Sequence, residues 1–79
     1  VTHFQTQWQS LRQFEREIAA LAAWGWTSEQ IARMRHNASG IYIRQRLKAI
    51  YEELGVESRL QLAVMFQEHI VNALTENNK

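Results

Sequence analysis

The 79-residue chain contains no proline, and its three glycines stand at equal intervals, Gly25, Gly40 and Gly55. Proline breaks a helix by removing a donor and by clashing with the preceding turn, so a proline-free chain leaves glycine as its main punctuation. With helix-forming residues between the glycines, the spacing predicts an all-α chain interrupted at three points.

Apolar periodicity fills in the elements. Leu11, Phe14, Ile18, Leu21 and Ala22 share a helical face, and Ser10 with Gln13 has capping-box spacing, which predicts a first helix over 10–24. Phe4 and Trp8 continue that stripe upstream, so a start near Thr2 fits as well. A short second helix is capped by Thr27 or Ser28, with Ile31, Ala32 and Met34 facing inward. The third runs over 39–54. Its Ile43, Leu47, Ile50 and Leu54 follow i, i+4, i+7, i+11, a buried stripe, with Arg44, Gln45, Lys48 and Glu52 opposite and Tyr42 and Arg46 toward the flanks. Ser58, with Gln61 as its capping-box partner, opens a fourth helix carrying Leu62, Phe66, Ile70 and Leu74 along one side. The expectation is a single domain over 1–79: a small four-helix bundle with its core in 11–74, a frayed tail over 75–79, and a helix-turn-helix made by the second and third helices.

Several chemistries have no residues to work with. Without cysteine there are no disulfides and no thiolate metal site, so stability rests on packing and on any partner chain. The chain has no aspartate, which removes a Ser-His-Asp triad and the usual Mg²⁺ and Ca²⁺ loops. His3, His36 and His69 are far apart and lack metal-ligand spacing. Glu15 and Glu17 point to different helix faces; Glu15 is expected to form a salt bridge that buttresses the third helix. Asn37-Ala38-Ser39 matches a glycosylation sequon formally, a chance match in a cytosolic turn. Trp24 and Trp26, at a helix junction, are read as plugs for the core. No apolar run reaches the ~18–20 residues of a membrane span. The expectation is a cytoplasmic protein that is not an enzyme, with no catalytic residue, metal, cofactor or membrane contact.

Charge is near balance at +1, but it is unevenly spread. The stretch 33–48 holds Arg33, Arg35, Arg44, Arg46 and Lys48, five of the nine basic residues, and no acid. It breaks at Asn37-Ala38-Ser39-Gly40 and resumes with the third helix. A short helix, a tight turn and a second helix with a basic face is how a protein presents an element to the DNA major groove. Ser39 and Gly40 are small enough for close backbone approach, and the free N–H groups at a helix start bind phosphate. Arg44 suits a guanine edge, Gln45 an adenine edge or a phosphate, and Lys48 either a phosphate or a base. Tyr42 and Arg46 suit the flanking backbones, Arg33 and Arg35 grip the backbone from the supporting helix, and a protonated His36 suits a phosphate beside the turn.

The order Leu11, Glu15, Glu17-Ile18, Leu21, Ala23, Gly25, Thr27 and Ile31-Ala32, followed by Ile43-Arg44, Ile50, Leu54-Gly55-Val56 and Arg59, resembles the LuxR/FixJ-type (GerE-like) DNA-binding domain of bacterial transcription regulators over 11–63. The resemblance implies a tetrahelical fold whose third helix enters the major groove and whose fourth commonly dimerises on a dyad-symmetric site. It puts Arg44 in the place of a DNA-contacting lysine, Arg46 in that of a histidine, and Tyr42 in that of a backbone-contacting threonine. This chain departs from the pattern by one extra residue between Ala32 and Tyr42. It also has a polar Arg35-His36-Asn37 in the turn, Glu53 in place of a basic residue and Arg12 in place of the capping threonine.

The expected function is sequence-specific binding of double-stranded DNA by a bacterial, phage or plasmid transcription regulator or its output domain, as a homodimer. Leu62, Met65, Phe66, His69 and Ile70 are the expected dimer seam, against the simpler reading that the fourth helix packs on Phe4 and Trp8. The alternative function is a protein-interaction module, a helix-turn-helix relative that docks on another regulator or on RNA polymerase. A region-4-like piece of a sigma factor shares the helical layout.

Overall fold

A computed structural model describes residues 3–35 and 39–77, and every regular element among them is helical. The order is α1 His3–Ser10, α2 Gln13–Ala23, α3 Ser28–Met34, α4 Gly40–Leu54 and α5 Arg59–Asn77. The all-α expectation holds, with five helices among the described residues instead of four.

The extra helix comes from a break in the expected first one. Arg12 is extended at φ −70°, ψ 158°. Its N–H donates to Glu15 Oε1 at 3.0 Å, while Arg16 Nη1 donates to the Leu11 carbonyl at 2.7 Å. One side chain thus satisfies a donor at the start of α2 and another an acceptor at the end of the preceding segment, which makes the interruption stable. Ser10 does not cap α2; its hydroxyl donates back to the Gln7 carbonyl at 2.7 Å.

The remaining boundaries follow local chemistry. Gly25, at φ +99°, lets the chain leave α2, and the Trp26 N–H returns to the Leu21 carbonyl at 3.1 Å. Thr27 and Gln30 form a reciprocal capping box at α3 (3.1 and 2.8 Å). The Ser39 hydroxyl accepts the Tyr42 N–H at α4, and Gly55 closes that helix at φ +75°. At α5 the Ser58 hydroxyl accepts the Gln61 N–H, while the Gln61 side chain reaches Glu57 N–H (2.8 Å). α5 continues through Asn77, where fraying from Thr75 was expected.

The core is a single cluster to which every helix contributes: Phe4 and Trp8 from α1, Ile18, Ala19 and Ala22 from α2, Ile31 from α3, the stripe Ile43, Leu47, Ile50 and Leu54 from α4, and Leu62 from α5. It therefore begins at Phe4, not at Leu11. α3 packs most extensively on α4, and α2 lies against both α4 and α5. The rings of Phe4 and Trp8 stack at 5.8 Å, and Trp8 meets Phe66 of α5 at 5.3 Å. One inward assignment fails: Met34 is exposed, as is Leu74 near the end of α5.

Candidate nucleic-acid interface

The α4 stripe is the structural basis of the candidate surface. With Ile43, Leu47, Ile50 and Leu54 buried, the 3.6-residue period turns Ile41, Arg44, Gln45, Lys48 and Glu52 outward, and all five are exposed. α4 carries no acid before Glu52.

Neighbouring elements alter that picture. Three of the five cations in 33–48 meet carboxylates from α2 and α3. Arg35 Nη1 lies 2.6 Å from Glu17 Oε2, and its guanidinium sits 4.5 Å over the Phe14 ring. Arg44 Nη2 lies 2.6 Å from Glu29 Oε1. Arg46 Nη2 donates to Glu15 Oε2. Arg33 and Lys48 make no ion pair among the described residues.

These pairs differ in kind. The Arg44 and Glu29 side chains are 63% and 54% exposed, so water screens the pair and its worth is roughly 0–1 kcal/mol. Arg44 can exchange that partner for a phosphate. Glu15 is buried; the Arg12 N–H first, then the bond and charge of Arg46, hold its carboxyl below the ordinary carboxylate value, while burial pulls the other way. Arg46 therefore ties α4 to the start of α2, the buttress expected of Glu15, and is less free to meet a nucleic acid than its sequence position suggests. Tyr42, exposed at its edge, leans toward Phe14 with ring centroids 6.3 Å apart. Phe14 thus lies between Arg35 and Tyr42.

At the start of α4 the small residues are placed as expected, Ser39 as cap and Gly40 next to it. The space before them is not empty. A Cβ on Gly40 would lie 3.4 Å from Glu29 Oε1, so a carboxylate stands beside the start of α4, where it disfavours a second anion. His36, Asn37 and Ala38 lie outside the described residues, and with them most of the expected turn.

On α5 the expected seam turns toward the protein body. Leu62 is fully buried, so it cannot lie on an interface between two copies. Met65 and Phe66 are half-buried against the core, and His69 sits 5.6 Å from Trp8 and 6.2 Å from Phe4, its buried Nδ1 without a hydrogen-bond partner among the described residues. Ile70 is half-buried. The simpler reading of this helix, packing on Phe4 and Trp8, describes Phe66 and His69. The exposed apolar residues are instead Leu60, Val64, Val71 and Leu74, with Gln67 between them. Their 4-3-4-3 spacing is that of a heptad seam, a signal present in the sequence itself.

Trp24 also departs from expectation. It is 74% exposed rather than a core plug, and with Gly25, Trp26, Gln30, Arg33 and Met34 it lines a shallow cavity of about 450 Å³. Arg59 has a larger role than its place in the resemblance implied: its Nη1 donates to the carbonyls of Ala22 (3.2 Å) and Trp26, tying α5 to the turn between α2 and α3.

Among the described residues no cluster of His, Cys, Asp or Glu could hold a metal ion, and no helix is long and apolar enough to cross a membrane. In comparisons with known proteins, no family model, curated protein or solved structure matches the chain.

Proposed function

We propose that the chain binds double-stranded DNA as a transcription-regulator domain in the cytoplasm, with α3 and α4 as its helix-turn-helix and α4 in the major groove. The observation that carries the reading is the division of α4 into an anchored face and a free one: four buried aliphatic residues hold it, while Arg44, Gln45 and Lys48 stand exposed on the other side. The resemblance to LuxR/FixJ-type domains supports it independently of the fold.

In this mechanism Lys48 and Arg33 supply phosphate attraction, Arg44 leaves Glu29 for the nucleic acid, and Gln45 reads a base edge. Arg46 ties α4 to α2, and Arg35 ties the end of α3 to α2. A second copy pairs along Leu60, Val64, Gln67, Val71 and Leu74. The heptad spacing of that exposed stripe matches a self-complementary helical seam, with Gln67 as the polar position that sets register.

Selection of bound duplexes from a random library, run beside a sizing column, tests the proposal; failure to enrich any duplex sinks it. Three available cations per protomer, six in a dimer, set a log K against log[salt] slope of roughly −5. A flat line removes phosphate contact from the mechanism.

One observation favours a second reading, a module that docks on another regulator or on RNA polymerase. Trp24 and Met34 are exposed side by side with Arg33, which makes no ion pair among the described residues, an apolar patch with a cationic rim. A stable complex with such a protein that Trp24→Ala abolishes, in a chain that retains no duplex, selects this reading over DNA binding.

A further inference from the structure

A cleft of about 370 Å³ lies where α3, α4 and the start of α5 meet, lined by Ser28, Arg44, Leu47, Lys48, Tyr51 and Arg59. Three of its six lining residues are cationic and two more carry hydroxyls; none is a carboxylate. The nearest acid bonded to any of them is Glu29, on the exposed Arg44.

Two features make this more than a group of surface cations. Arg59 is half-buried and aimed by the carbonyls of Ala22 and Trp26, which engage Nη1 and leave Nη2 and Nε with no hydrogen bond among the described residues. A guanidinium held in this way presents its remaining donors without first having to be ordered. Ser28 is 6% exposed, and its hydroxyl has no hydrogen-bond partner among the described residues. The hydroxyl borders the open cleft, where water or a ligand can supply its bonds.

We propose that this cleft is a phosphate-binding pocket, in which Arg59 and Ser28 form the inner donors and Lys48, Arg44 and the Tyr51 hydroxyl close the outer side. Phosphate suits the donor set because its oxygens accept from several directions at once, and charge-assisted bonds from guanidinium and ammonium outweigh neutral ones. The group arrives from one of two sources: a backbone phosphate of bound DNA, or a free phosphorylated small molecule. The pocket does not depend on the DNA reading, since its donors converge whether or not α4 enters a groove.

The test is a titration of the 79-residue chain with inorganic phosphate, followed through backbone amide resonances and matched at each point by chloride of equal ionic strength. The expected result is saturable shifts at Ser28, Lys48, Tyr51 and Arg59 that chloride does not reproduce. Ser28→Ala and Lys48→Gln should each weaken binding roughly tenfold or more, as expected for a lost bond to a charged group. Lys48 is exposed, so its variant reads the pocket even where Ser28→Ala loosens α3. Shifts no larger than those with chloride, or both variants binding phosphate as the parent does, overturn the proposal. Duplex competition then separates the sources. Phosphate that displaces duplex identifies a backbone phosphate as the occupant, and phosphate that binds without affecting duplex identifies a free ligand. A chain that binds phosphate here but no duplex keeps the pocket and loses only the DNA reading.

Discussion

Replacing Glu15 by alanine should lower stability by about 2–3 kcal/mol. The carboxylate has two tasks. It accepts the Arg12 N–H at 3.0 Å, and loss of such a cap bond typically costs about 1 kcal/mol, rising to roughly 1.5 when the acceptor is charged. It also accepts from Arg46, whose side chain is partly open to water, so that pair is discounted to about 1 kcal/mol. In a chain of this length 1 kcal/mol moves Tm by about 4–8 °C, which gives a fall of about 10–20 °C in a circular-dichroism melt. Glu15→Gln keeps an acceptor for Arg12 and loses the charge, so it should cost about half as much. The pH dependence separates charge from shape. The Arg12 N–H, with Arg46 beside it, holds the folded-state pKa of Glu15 below the ordinary carboxylate value, so its contribution is complete above the unfolded value and is lost as pH falls through the folded one. The gap in urea-derived stability between parent and Glu15→Gln should therefore be full at neutral pH and should close across the acid range, as pH falls through the lowered folded-state value. A gap that stays constant across that range, or an alanine variant as stable as the parent, refutes the buttress argument.

Arg44→Ala should weaken binding to a selected duplex by about 1–3 kcal/mol and relax specificity at one position, whereas Glu29→Gln, by freeing Arg44 and removing a carboxylate from the start of α4, should strengthen it; fluorescence anisotropy at fixed salt measures both. If Glu29→Gln leaves affinity unchanged, Arg44 is not held back by its partner. Leu62→Ala should cost about 2–5 kcal/mol in denaturant titrations because it opens a cavity in the core. Val71→Asp, on the exposed stripe, should leave the protomer folded but monomeric by sedimentation; an unaltered oligomeric state places any seam elsewhere. Trp24→Ala should stay within about 0.5 kcal/mol of the parent, as befits an exposed side chain, and a larger loss would show that the indole supports the fold.

What was legible in the chain was local or periodic. The α4 stripe, Thr27 as a cap, Ser58 with Gln61, and the closing glycines at 25 and 55 all appear where their spacing puts them, because each depends on residues within a few positions of one another. The break at Arg12 was hidden because the apolar stripe runs straight through it. Glu15 stabilises the break as well as pairing with α4, and its spacing from Arg12 does not by itself reveal the first task. The faces of α5 were misjudged for a related reason: two apolar stripes share that helix, and only the position of α1 determines which one Phe4 and Trp8 cover.

The basic stretch 33–48 marks the same division. Its five cations, its lack of acid and the helical phase of α4 are properties of the sequence alone, since charge and periodicity need no partner. Which of those cations remain available was decided by the tertiary structure. Glu15, Glu17 and Glu29, lying outside the stretch, are brought against Arg46, Arg35 and Arg44 by the packing of α2, α3 and α4 on one another. A Coulomb interaction depends on separation in space and on the water between the charges, and neither quantity is written along the chain.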